Sequence, residues 1–254
     1  IIDYVNTNKQ ITKDVLNTVK PDIIIHCAAI VSLDKCETDK KLAKSIHVDV
    51  TKQLANYNIN KTKIIYISTD SVFDGKDGDY SETDKPNPIN YYAKSKLQGE
   101  VAACVNSNNL IIRTNIFGFN RKLGGSIAEW AIKNFMDNKM INGFTDTFFN
   151  AIYTKQLAEI LLKLIQINYK GLVNVASQNY MTKYDFLKVL AKELNVSDLL
   201  IIESTSSLIN FNTPRPLNTT LNTSKLKKIV NVPKIEDGMK ELVIDLLHNK
   251  DFQI

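Results

Sequence analysis

"KIIYIST", residues 63–69, is a short run of β-branched and aromatic residues that stops at Ser68 and Thr69. A continuous apolar run of this length, ended by small polar residues, reads as a strand buried in a parallel sheet. Two further runs share its character: "PDIIIHCAA" at 21–29 and "NLIIRT" at 109–114. Between them lie "CETDKKLAKSIHVDVTKQLANY" (36–57) and "YYAKSKLQGEVAACV" (91–105), both long enough for helices. The alternation implies right-handed βαβ crossovers and an α/β, doubly wound parallel sheet. Beyond residue 120 the pattern is less regular. Helices are expected over 126–138, 154–167, 182–194 (with Thr182 as N-cap) and 235–250, and strands over 171–177 and 199–204.

In such a sheet a ligand sits at the carboxyl ends of the strands. Three segments end there: "HCAAIVSLDKCE", "STDSVFDG" and "RTNIFG". The loop "DGKDGDYSETDKPNPIN" (74–90) follows the second of them and leads into "YYAKSK", where Tyr92 and Lys96 stand four apart. At that spacing on a helix they share one face. A free phenol titrates near 10, and an adjacent ammonium lowers that value, so the pair suits proton transfer. Thr69, at a strand end, could hold a substrate oxygen against Tyr92 while a hydride reaches the carbon. The spacing alone identifies nothing, because Tyr57/Lys61 and Tyr184/Lys188 repeat it. Only the copy at 92 and 96 follows a strand that ends in Ser-Thr.

Composition narrows the field. Hydrophobic residues at 44% and charged residues at 23% are ordinary for a globular protein. The net charge of +5 comes almost wholly from dispersed Lys, a solvated surface and not a nucleic-acid stripe, and it suits an anionic small molecule. Three Cys and three scattered His offer neither a disulfide framework nor a metal cluster, so no metal is expected and a cytoplasmic setting fits. No apolar run reaches membrane-spanning length.

The ordered set "HCAA", "STDSVFDG", "YYAKSK" and "RTNIFG" resembles the extended short-chain dehydrogenase/reductases. More closely, residues 68–100 resemble the dTDP-4-dehydrorhamnose reductase group through its pattern STDxVFDG…ETDxPxPxxxYxxxKLxGE. "YTKQLAEIL", "GLVNVAS", "TKYDFLKVLAKEL" and "PRPLNTTLNTSKL" extend the likeness over essentially the whole chain. The resemblance implies a Rossmann-type NAD(P)-binding domain (1–120 and 148–176) and a smaller C-terminal α/β substrate domain (121–147 and 177–254). It implies NADPH, with NADH possible, and reduction of the 4-keto group of a nucleotide-diphosphate 4-keto-6-deoxyhexose by a monomer or homodimer. Thr69, Tyr92 and Lys96 would form the catalytic trio. Asp3, Tyr4, Cys27, Ala28, Ala29, Tyr92, Lys96 and Thr114 would meet the cofactor. Thr69, Asp70, Ser71, Asn115, Ile116 and Arg215 would meet the substrate, and the chemistry of Arg suits Arg215 to a diphosphate or substrate-domain contact.

Departures qualify the substrate. Relatives carry Tyr where this chain has Ser71, and commonly an aromatic where it has Ile116. His47 occupies a helical position often held by Asn; proton relay and helix packing both remain open for it. Dehydratases of the superfamily carry Asp-Glu after the Thr, whereas here the run is Thr69-Asp70-Ser71. The family's Gly-rich turn is not found in 1–254, so about 40 residues, one βαβ unit, are expected before Ile1. The same group includes the non-catalytic β subunit of methionine adenosyltransferase, which leaves a partner-binding role open. Arg113 is expected in a structural ion pair, and Trp130 in the core.

Overall fold

The computed structural model describes residues 9–57, 61–119 and 125–248. Asp3 and Tyr4, expected near the cofactor, lie outside the described residues. In chain order the elements are α1 (Lys9–Val19), β1 (Ile23–His26), α2 (Leu33–Thr38), α3 (Lys40–Lys44), α4 (Val50–Asn56), β2 (Lys63–Ile67), α5 (Tyr91–Ala103), β3 (Leu110–Arg113) and β4 (Ile116–Phe117). They continue as α6 (Ile127–Met136), β5 (Ile141–Phe144), β6 (Phe148–Phe149), β7 (Ile152–Tyr153), α7 (Thr154–Gln166), β8 (Gly171–Asn174), β9 (Met181–Thr182), α8 (Lys183–Glu193), β10 (Ile201–Ser204), α9 (Ser224–Lys227) and α10 (Ile235–His248).

Among the described residues the main sheet is parallel, in the order β1-β2-β3-β8. Its register pairs Ile25 with Ile65, Ile65 with Leu110 and Ile112 with Val173. One cluster of buried residues joins Ile65, Leu110, Ile112 and Val173 to Leu157, Ile160 and Leu164 of α7. A second lies on the other face, where Ile64, Tyr66 and Ile111 meet Val50 and Leu54. A third is built from later chain: Phe117, Ile132, Phe135, Phe149, Phe186, Leu190, Met239 and Leu242. Ile23 and Ile25 of β1, the outermost strand among the described residues, are 37% and 46% exposed. Trp130 departs from expectation, being 41% exposed.

The helix expected over 36–57 is three helices and a π turn. Asp39 ends α2 and caps α3, its carboxylate accepting from the Leu42 N–H. Asp commonly makes such a local bond, which competes with a continuous helix. Ser45–Asp49 then forms the π turn. On α5, Asn90 caps the first turn by accepting from the Ala93 N–H at 2.9 Å.

Gly99 sets how closely α5 approaches β2. A Cβ there would lie 2.1 Å from the Tyr66 hydroxyl and 2.5 Å from the His47 carbonyl oxygen. The expected result for Gly99→Ala is a loss of about 1–3 kcal/mol in urea unfolding, from overpacking, with α5 displaced outward.

Candidate active site

A cavity of about 540 Å³ opens at the carboxyl ends of β1, β2 and β3. Its wall contains Cys27, Ala29, Thr69, Asp70, Ser71, Tyr92, Lys96, Thr114, Asn115 and Ile116. Ten of the expected site residues therefore converge, from four stretches of sequence. Ala28 is not part of the wall, and Arg215 lies in a separate cleft.

Thr69 ends the strand segment, and its hydroxyl accepts from the Ser71 N–H at 3.2 Å. It also donates to Asp70 Oδ1 at 3.1 Å. Tyr92 is pushed up to about 12: burial raises it, the neighbouring Thr69 hydroxyl lowers it, and the Asp70 charge raises it further. This corrects the expectation that Lys96 lowers the Tyr92 phenol. Lys96 instead turns to the β2 backbone, donating to the Ile67 carbonyl at 2.6 Å with its ammonium 4.3 Å from the centre of the Tyr66 ring. Burial brings Lys96 down to about 8, against the attraction of Glu100.

Asp70 is 3% exposed, and protein donors occupy both its oxygens. Thr69 and Ser71 hydroxyls donate to Oδ1, and Asn115 Nδ2 (2.7 Å) and Thr219 Oγ1 donate to Oδ2. Burial raises its carboxyl above the ordinary range in spite of these bonds. Asp70 thus ties the 69–71 segment to Asn115 across the cavity wall and to Thr219 behind it.

Behind the site, Arg113 and Glu100 form a two-point ion pair, Nε to Oε1 at 3.0 Å and Nη2 to Oε2 at 2.8 Å. Ser68 donates to the same Glu100 Oε1 at 2.5 Å. The expected role of Arg113 is thereby met. Thr114 Oγ1 is buried in the cavity wall with no hydrogen-bond partner.

Two further features stand out, one with a local sequence signal and one without. The first is the rim at Ser126, where a capping box forms: Ser126 accepts from the Glu129 N–H, and the Glu129 carboxylate accepts from the Ser126 N–H. The S-x-x-E of "SIAE" encodes it. The second is the cleft around Arg215, lined by Phe144, Lys183 and Phe211. Arg215 stacks on Phe211 at 4.2 Å, and Phe144 meets Phe211 edge to face at 6.0 Å. Burial, then the Arg215 charge, lowers Lys183. These residues are far apart in sequence, so no local motif joins them.

Two buried histidines impose a pH dependence. Burial, then the Lys96 charge, lowers His26 to about 4 and His47 to about 3, from an ordinary 6.5. The unfolded chain binds these protons near 6.5 and the folded chain does not until about 4 and 3, so folding stability falls as pH drops through that window. Thermal unfolding followed from neutral pH downward is expected to show this loss, with a shallower slope in His26→Gln.

Residues 4–247 match the RmlD substrate binding domain family. A probable low-salt glycan biosynthesis reductase, Agl14 of Haloferax volcanii, is 28% identical over 249 residues, spanning 95% of this chain and 82% of that protein. Methionine adenosyltransferase 2 subunit beta of Xenopus tropicalis is 32% identical over 85% of this chain and 67% of its own length. The crystal structure of dTDP-4-dehydrorhamnose reductase from Bacillus anthracis in complex with NADP superposes with a TM-score of 0.86, at 26% identity, over 94% of this chain and 86% of that one.

Proposed function

Because the chain belongs to the RmlD substrate binding domain family, we propose that it is an NAD(P)H-dependent reductase of a nucleotide-diphosphate 4-keto-6-deoxyhexose, working in nucleotide-sugar biosynthesis. The observation that carries this reading is the convergence of Thr69, Tyr92 and Lys96 on one cavity at the sheet's carboxyl edge.

The chemistry follows from the protonation states. With its phenol at about 12, Tyr92 holds its proton at neutral pH. It surrenders that proton to a strongly basic acceptor, such as the alkoxide that develops when a ketone is reduced. Thr69 lines the same cavity, and its hydroxyl, which otherwise donates to Asp70, would turn to that oxygen when substrate is bound. NADP(H), when bound, supplies the hydride. The residues present fit its nicotinamide end. Cys27 and Ala29 give a wall of small side chains, Thr114 Oγ1 is an unpartnered polar atom, and Lys96 spends one of its N–H groups on Ile67. The cleft of Lys183, Arg215, Phe144 and Phe211 suits the nucleotide, with cations for the diphosphate and rings for the base. Ser71 and Ile116 leave the sugar pocket without two aromatic walls, so dTDP-rhamnose synthesis itself is one candidate among related 4-keto sugars.

A second reading, a non-catalytic partner-binding subunit, is favoured by the likeness to the methionine adenosyltransferase β subunit. Purified full-length protein is to be assayed for NADPH and NADH oxidation against a panel of nucleotide 4-keto-6-deoxy sugars. Turnover with at least one member is expected. No turnover, with a stoichiometric partner recovered by affinity capture, would favour the second reading.

A further inference from the structure

We infer that His47 is a positioning residue, tying the 27–30 turn that walls one side of the cavity to the helix that carries Tyr92. The inference rests on the reductase reading only where it concerns cofactor affinity.

His47 is fully buried, in the π turn between α3 and α4. Such turns are rare and cluster at functional sites. The Ile30 N–H donates to His47 Nε2 at 2.9 Å. Nε2 is therefore bare, and the ring proton sits on Nδ1. Nδ1 faces Ser95 Oγ at 2.7 Å, and Ser95 in turn donates to the Tyr92 carbonyl at 2.9 Å. The three bonds run in one direction, from the turn through the imidazole to the first turn of α5. The ring edge also meets the Tyr92 ring, centroids 5.8 Å apart at 85°. Cys36 Sγ contacts the Ile30 carbonyl at 3.4 Å, so Ile30 is held on both its polar groups. Cys27 and Ala29, in the same turn, line the cavity. A neutral imidazole is required for this arrangement, and burial keeps it neutral through the ordinary working range.

Two functions of the ring, packing and bonding, separate by substitution. In place of imidazole, the Gln amide reaches the Nε2 position, and His47→Phe keeps only the ring. Amide hydrogen exchange at Ile30 is expected to stay slow in His47→Gln and to speed up at least about tenfold in His47→Phe. NADPH Kd is expected to rise about 10- to 100-fold in His47→Phe and little in His47→Gln, the range seen for outer partners that orient metal ligands. Equal exchange and Kd in both variants and wild type would reduce His47 to packing and overturn the inference. So would His47→Gln behaving like His47→Phe. Wild-type protein that binds no NADPH would count against the reductase reading, and the exchange data would still decide this one. Nitrogen chemical shifts of the wild-type ring supply a readout without any variant. They are expected to show the Nδ1–H tautomer, and the opposite tautomer would overturn the proposal.

Discussion

Tyr92→Phe is expected to lower kcat by about 10²- to 10⁴-fold, the usual worth of a positioned proton donor, while NADPH Kd stays within about twofold. The change removes one hydroxyl from a half-buried ring and leaves the ring itself against His47. Thr69 keeps its bonds to Asp70 and the Ser71 N–H. The fold should therefore survive, and circular dichroism and thermal unfolding are expected to match wild type closely. Retained kcat would show that another group delivers the proton. Lost cofactor affinity would show that the phenol serves binding and not chemistry. Because burial holds the Tyr92 phenol at about 12, activity should also not rise with alkaline pH in the way a phenolate base would require.

Breaking the Arg113–Glu100 pair is expected to be the most damaging single change to stability. Both side chains are nearly inaccessible, 4% and 7% exposed, and the pair is bonded at two points. Removing one partner leaves a buried charge without compensation, which costs about 3–5 kcal/mol. For a chain of this size that lowers Tm by on the order of 10 °C. Glu100→Gln and Arg113→Met should each show it. The double change Glu100→Leu/Arg113→Met should recover much of the loss, because a paired apolar replacement leaves no orphan charge. Arg113 Nη1 has no hydrogen-bond partner, so the pair is not fully satisfied even in the wild type. Activity should fall with stability in the single variants, since Ser68 donates to Glu100 and immediately precedes Thr69.

Much of this was legible before any coordinate. The β-branched runs at 23–26, 63–67 and 110–113 are three of the main sheet's four parallel strands among the described residues, because apolar residues bounded by small polar ones have little else to do in a globular chain. Tyr92 and Lys96 fall on α5, one turn apart, and reach the cavity together with Thr69 from the preceding strand end. Electrostatics was less legible. Spacing puts a Lys near a Tyr, yet the ammonium finds the Ile67 carbonyl and the Tyr66 face instead, and desolvation then dominates the phenol. The break at Asp39 and the π turn at 45–49 were missed because both depend on local side-chain and tertiary bonds that periodicity does not encode. The chemistry of Arg points Arg215 to the substrate. Its cleft, with Lys183 and Phe211, is separate from the cavity of Tyr92, and only the fold brings those segments together.

The central claim is that Tyr92 completes a ketone reduction at the edge of this sheet. It is tested most directly by turnover of a nucleotide 4-keto-6-deoxy sugar with NADPH deuterated at the transferring position, followed by mass spectrometry of the sugar. One deuterium is expected at C4 of a newly formed alcohol in wild type, and almost none in the same time with Tyr92→Phe. Sugar recovered unlabelled and still as the ketone, from wild-type protein that binds NADPH, would contradict it.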